Sequence, residues 1–158
     1  MHFCRYTSPI GILLIGEEES AIVYCQWEDT IDKRLIATWK EDKEQLNALL
    51  TETCHQLTEY FVGKRKVFDL PIRLNGTPFQ QLVWKGLQQI PYGNTCSYSD
   101  LARLVGRHQA ARAVGNANNH NPLMIIIPCH RVVTSSGKLG GYAGGVDRKA
   151  WLLEKERR

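Results

Sequence analysis

Cys129, His130 and Arg131 follow Pro128 directly, between the apolar run Met124-Ile125-Ile126-Ile127 and the pair Val132-Val133. Burying histidine or arginine costs free energy unless each finds a partner, so a polar cluster that interrupts a core stretch predicts a site held against that core. The chemistry such a site offers is nucleophilic. A free thiol is mostly protonated at neutral pH, and a neighbouring base or cation raises its thiolate fraction. His130 and Arg131 are candidates for that role. Adjacent side chains on an extended backbone diverge, so a proton passing from Cys129 to His130 would need a bridging water. Taken alone, a Cys-His pair is weak evidence, because most cysteines are inert core residues.

A second titratable candidate lies near the end of the chain. Glu156 shares a helical face with Leu152 and Leu153, although a carboxylate is unfavourable near a helix C-terminus. A group placed against both tendencies calls for a partner, and a histidine would serve. Between the cysteine and this helix, Gly137, Gly140, Gly141, Gly144 and Gly145 surround Tyr142 and Ala143, and such a loop can bring backbone N–H groups close to a ligand. Upstream, Gln109–Asn118 is a run of small residues with one long cation, Arg112. Ala and Gly allow close approach to a partner, and Arg112 could reach into a stack of bases; tight packing on another helix explains the composition equally well.

The elements that must position these groups follow from hydrophobic periodicity. Met1–Tyr6, Gly11–Ile15 and Ala21–Trp27 read as strands of a small antiparallel sheet. Residues 43–62 carry Leu46, Leu49, Leu50, Leu57, Tyr60 and Phe61 at helical spacing, ended by Gly63 and a solvated Lys64-Arg65-Lys66 cluster. Val67–Asn75 reads as an extended connection, which puts a boundary near residue 75. Thr77 and Pro78 begin a helix whose stripe is Phe79, Leu82, Val83, Leu87 and Ile90. Ser97-Tyr98-Ser99-Asp100 has capping-box spacing and opens a short helix closed by Gly106, and another helix runs from about His108 to Asn118. Two short helices joined by a Gly-containing turn suggest a helix-turn-helix. Met124–Ile127 reads as a buried strand, and Asp147 as the cap of the last helix.

Composition limits the partners. Of 158 residues, 43% are hydrophobic and 23% charged, near the averages for globular proteins, and no apolar run has the length of a membrane span. The start of the chain lacks an export signal, so a cytoplasmic location is expected. Five cysteines, Cys4, Cys25, Cys54, Cys96 and Cys129, show no framework spacing, which predicts free thiols. With no Cys-x-x-Cys or His-x-x-x-His, metal binding is not predicted. Residues 75–158 carry 11 Lys/Arg against 4 Asp/Glu, a net +7, whereas residues 1–74 are acidic. A basic half suggests a polyanion docking there.

Pro128-Cys129-His130-Arg131-Val132, preceded by Arg112-Ala113-Val114-Gly115 and Asn121-Pro122, resembles the O6-alkylguanine-DNA alkyltransferases, most closely their shorter bacterial members. The match spans residues 76–156 and includes Gly76-Thr77-Pro78-Phe79-Gln80, Ile90-Pro91-Tyr92-Gly93, Ser97-Tyr98, Gly144-Gly145 and Trp151-Leu152-Leu153. The N-terminal part resembles the family only loosely, through Ser8-Pro9-Ile10-Gly11. The resemblance implies an α+β protein of two small domains. Residues 1–74 would form a ribonuclease-H-like antiparallel sheet with a helix, and residues 75–158 a helical, winged-helix-like DNA-binding domain containing the helix-turn-helix.

It also implies a reaction: irreversible transfer of an alkyl group from guanine O6, and less efficiently thymine O4, to the Cys129 sulfur, with one turnover and no cofactor. By the same resemblance Glu156 orients His130, His130 takes the Cys129 proton through water, and the Tyr98 hydroxyl donates to the leaving base. Backbone at Cys129, Val132 and Ala143 would hold the base edge, and Asn121 would brace the turn before the cysteine. Arg112 would fill the gap left by a flipped nucleotide, with Ala113 and Gly115 on the same minor-groove helix. The implied partner is double-stranded DNA bearing O6-alkylguanine, bound by a monomer. The Ala143 position is Ser in some members, an exchange that keeps the backbone donor, and the zinc site of some members is not matched here.

Three other readings compete. A relative that binds damaged bases without transfer lacks the acceptor cysteine, whereas Cys129 is present. A Cys-His hydrolase would need a base brought from elsewhere in the chain. A helix-turn-helix transcription factor would leave the polar interruption after Ile127 unexplained.

Overall fold

The computed structural model describes residues 1–158 and divides into two compact units, Met1–Leu74 and Asn75–Arg158. The first opens with three strands, β1 (His2–Ser8), β2 (Gly11–Glu18) and β3 (Ala21–Trp27), joined by two-residue turns. Ser8 stabilises the first turn by donating to the Gly11 carbonyl and accepting from the Ile10 N–H. In the second turn Glu19 and Ser20 both have positive φ, the twist that a tight hairpin requires, and Glu17 accepts the Ser20 N–H at 2.9 Å. A short fourth strand, β4 (Lys40–Glu41), pairs parallel to β1, so the order is β3-β2-β1-β4. The expected antiparallel sheet therefore gains one parallel edge strand.

Helix α1 (Ala48–Phe61) packs Leu50, Leu57 and Tyr60 with the sheet residues Leu13, Ile15 and Trp27 in the buried core of this unit. It starts five residues later than the periodicity suggests. Asp42 accepts the N–H groups of Leu46 and Asn47, Gln45 has φ of 57°, and Asn47 then caps the helix by accepting from Leu50. Leu46, counted in the apolar stripe, is consequently exposed. The segment after α1 is more than a connection. Pro71 accepts from the Ile22 N–H and Arg73 donates to the Ile22 carbonyl, which adds it to the edge of β3. Gln56 bonds both backbone groups of Asp69. Within the basic cluster, Arg65 is held by Glu59 and the Val67 carbonyl.

The second unit begins with α2 (Pro78–Leu87), whose Thr77/Gln80 capping box satisfies the first N–H groups. A two-residue strand, β5 (Cys96–Ser97), leads into α3 (Tyr98–Leu104), where Ser97 and Asp100 form a second capping box. Gly86 lets α2 and α3 pack closely, because a Cβ there would stand 2.6 Å from Val105 Cγ1. Helix α4 (Ala111–Asn119) begins three residues later than expected and has no side-chain cap. The Trp84 indole donates to the Ala117 carbonyl at 2.9 Å and fixes α2 against α4.

Met124–Ile127 is not a strand. Ile125 has φ of 72°, Ile126 donates to Met124 and Ile127 to Leu123, so the run closes a tight buried turn. Four apolar residues mimic a strand, but tertiary packing and the Asn121 side chain decide the backbone. β6 (Val132–Val133) pairs parallel with β5. The last helix, α5 (Val146–Arg157), has Gly145 at its N-cap with φ of 98°; Asp147 lies in the first turn and does not cap it. No helix is long and apolar enough to cross a membrane.

Candidate active site

The polar cluster is built on a braced turn. Asn121 donates to the carbonyls of Leu123 and Ile127 at 3.3 and 2.8 Å and accepts from the Leu123 N–H at 2.9 Å, all buried. That turn delivers Cys129–Arg131 as a single 3-10 turn, not as extended backbone. Cys129 donates its N–H to Ile127, and its Sγ lies 3.6 Å from Met124 Sδ. Asn118 on α4 approaches the Cys129 carbonyl at 3.4 Å.

His130 and Arg131 converge on α5. His130 Nε2 lies 2.7 Å from Glu156 Oε2, and both side chains are buried. Arg131 Nε donates to Glu156 Oε1 at 2.8 Å, its Nη2 to Oε2 at 3.2 Å, and its Nη1 to the Ile90 carbonyl at 2.7 Å. The Tyr92 ring lies under its guanidinium. Burial alone would raise the Glu156 carboxyl, but the bonds and charge of its two partners outweigh this and hold it well below the usual carboxylate range. Burial holds His130 below its ordinary range despite Glu156. The pair is therefore a neutral imidazole and an ionised carboxylate, with Arg131 as the compensating cation. Because Glu156 can only accept, Nε2 carries the proton and Nδ1 is a bare acceptor. Nδ1 is buried and has no hydrogen-bond partner.

The thiol is not a resting thiolate. Burial pushes Cys129 up to about 11, while the Asn121 side chain and the Lys149 charge pull the other way. Arg131 is committed to Glu156 and so does not act on the thiol as a free cation, whereas His130 is neutral, the form in which an imidazole can accept a proton. Lys149 is the cation that matters here. Fully buried, it donates to the Val132 carbonyl at 2.6 Å and to Gly141 at 3.0 Å, and burial lowers its pKa to about 8. Tyr98, at the start of α3, is half-buried; burial and then Cys129 raise its pKa, so it stays an O–H donor. Gly140 keeps the hydroxyl accessible, since a Cβ there would stand 3.0 Å from it and its φ is 72°.

Cys129, His130, Glu156 and Asn121 are thus brought into one buried centre, with Tyr98 near it through Lys149 and Gly140. The Val132 carbonyl is engaged by Lys149. Arg112 and Ala113 sit apart on the exposed side of α4, Gly115 is half-buried against the Tyr98 ring, and Ala143 is exposed in the glycine loop. Sequence reasoning missed Arg131 as the second partner of Glu156, and missed Lys149 altogether. Lys149, Leu152, Leu153 and Glu156 share one helical face, and that spacing could have revealed the lysine.

A buried cysteine next in sequence to an imidazole–carboxylate pair, in a basic helical unit, has the residue types that cysteine-nucleophile proteins acting on polyanions use. Two family models match, described as the 6-O-methylguanine DNA methyltransferase ribonuclease-like domain over residues 1–74 and its DNA binding domain over residues 78–158. The constitutive methylated-DNA–protein-cysteine methyltransferase of Bacillus subtilis is 48% identical, over 99% of this chain and 95% of that protein. A Methanosarcina acetivorans protein of the same type is 41% identical, covering 99% and 98%. The crystal structure of Mycobacterium tuberculosis OGT in complex with DNA superposes with a TM-score of 0.90 at 43% identity, covering 99% of this chain and 93% of that one. The chain belongs to the 6-O-methylguanine DNA methyltransferase family.

Proposed function

We propose that Cys129 accepts an alkyl group directly and irreversibly from O6-alkylguanine, or O4-alkylthymine, in DNA, repairing the base in one turnover per molecule. The observation that carries this reading is the His130 imidazole, fixed through Nε2 by Glu156 and left with a buried, unpartnered Nδ1 next in sequence to the acceptor thiol.

Displacement at an sp³ carbon needs a strong nucleophile and a leaving group improved by a proton. His130 Nδ1 takes the Cys129 proton through water, and Glu156 stabilises the imidazolium that forms. Lys149 favours the thiolate. The sulfur attacks the alkyl carbon, the carbon–oxygen bond breaks, and Tyr98 donates a proton to the departing base. Because Cys129 rests as a thiol, this deprotonation accompanies docking of the base. Backbone at Cys129, Val132 and Ala143 holds the base edge.

Residues 75–158 serve as the DNA-binding alkyltransferase domain, with α4 in the minor groove. Arg112 occupies the space of the flipped nucleotide, while Ala113 and Gly115 permit close approach. Asn121 keeps the cysteine turn in register. The protein acts as a monomer in the cytoplasm. Incubation with a duplex containing O6-methylguanine should add one methyl to the Cys129 peptide, and Cys129→Ala should abolish it. Intact-mass measurement decides: absence of the added methyl, or turnover beyond one equivalent, overturns the proposal.

A further inference from the structure

Cys4 on β1 and Cys54 on α1, 50 residues apart in sequence, bring their Sγ atoms to 3.6 Å. Both belong to the first unit and take no part in the chemistry of Cys129. They line an open cavity of about 560 Å³ together with Arg5, Lys43 and Thr58. Each is partly exposed, whereas Cys25 and Cys129 are buried. An oxidant in solvent therefore reaches this pair before it reaches the acceptor thiol.

We propose that Cys4 and Cys54 are a reversible oxidation site that closes to a disulfide when it meets a hydroperoxide. A disulfide bond is about 2.05 Å long, so the sulfurs must approach by roughly 1.5 Å. The two thiols also differ in character. Either sulfur can donate in this contact; the shared hydrogen bond holds Cys54 below the ordinary thiol range, while the same contact and then burial push Cys4 far up. The cavity wall carries both signs of charge, Arg5 and Lys43 beside Glu41 and Asp42, with Arg5 held by Glu28 and Glu41.

The Cys54 thiolate attacks one peroxide oxygen, the O–O bond breaks and hydroxide leaves, giving a sulfenic acid on Cys54. The Cys4 sulfur then attacks the Cys54 sulfur. The S–O bond breaks, and the departing hydroxide combines with the Cys4 proton as water. Each sulfur is oxidised by one electron and the peroxide is reduced by two. The product ties β1 to α1 across the 50-residue separation, which removes freedom from the unfolded chain, and a dithiol reverses it.

The test treats the full chain with one equivalent of hydrogen peroxide, blocks remaining thiols with iodoacetamide and maps the peptides by mass. The expected product is a Cys4–Cys54 cross-link, lighter by two hydrogens and restored by dithiothreitol, with a higher Tm. Methyl acceptance at Cys129 should stay within twofold. Cys4→Ser and Cys54→Ser should each abolish the cross-link, and Cys96→Ser should leave it. Should either serine variant fail to fold, the wild-type peptide map still decides. Oxidation of Cys129 or Cys96 ahead of this pair, or conversion of Cys54 to a sulfinic acid without cross-linking, overturns the proposal.

Discussion

His130 Nε2 lies 2.7 Å from Glu156 Oε2, although 26 residues of sequence separate them. The contact fixes the tautomer of the imidazole, and the same carboxylate neutralises Arg131. One side chain therefore sets the protonation state of the base and supports the turn that carries the thiol.

Replacing Glu156 by Gln leaves Arg131 buried without a counter-charge, at a cost of about 3–5 kcal/mol. Loss of the oriented base should slow methyl transfer on the order of 100-fold. The folded chain holds this carboxyl below its unfolded value, which is about 4.3. Its contribution to stability is therefore complete above that pH and is lost as the pH falls toward the depressed value. Urea unfolding from pH 7 down to 3 should show parent and variant converging at the acid end; a constant gap would remove Glu156 from this role.

Lys149→Met should slow transfer on the order of tenfold by removing the cation that favours the thiolate. Folding lowers this lysine to about 8 from 10.5, so between these values the unfolded chain binds more protons and stability from this group rises with pH. Cys129, raised from 9.0 to about 11, acts in the opposite sense above pH 9. Comparing the variant with its parent isolates the lysine: between pH 8 and 10 the parent should gain stability relative to Lys149→Met. Parallel pH curves for the two would contradict the assignment.

Asn121→Ala removes the hydrogen bonds that brace the Leu123–Ile127 turn and leaves buried carbonyls without them. A loss of roughly 2–4 kcal/mol is expected, read as a lower urea midpoint with an unchanged slope. Transfer at low temperature, where the variant is folded, should fall as the cysteine turn loosens.

Arg112 is exposed, so Arg112→Ala should leave the Tm within about a degree. Repair of a methylated duplex should drop about tenfold or more, while slow transfer from free O6-methylguanine base stays unchanged. Equal losses on both substrates would place Arg112 outside DNA engagement.

Helix starts with chemical punctuation were legible in the sequence. Thr77 caps the helix that Pro78 opens, and Ser97/Asp100 form the capping box that their spacing suggests, because these are local bonds between residues three apart. Glu156 was conspicuous because it contradicts both the apolar face and the helix end on which it lies. The turn at Met124–Ile127 was illegible, since the positive φ of Ile125 is imposed by Asn121 and by packing that no local pattern records. Arg131 was misjudged for a related reason. Its distant partner, Glu156, decides whether it acts on the thiol or on the carboxylate.

The Cys129 sulfur lies 3.6 Å from Met124 Sδ in a packed interior, with almost none of its residue surface exposed. A methyl group added there crowds the neighbours of a sulfur already in contact with Met124, and overpacking of this kind costs about 1–3 kcal/mol. The alkylated molecule should therefore melt at a lower temperature than the unreacted one and be cut sooner by proteases. Each spent copy carries a mechanical record of its single event, by which a cell could tell used protein from fresh without reading the cysteine at all.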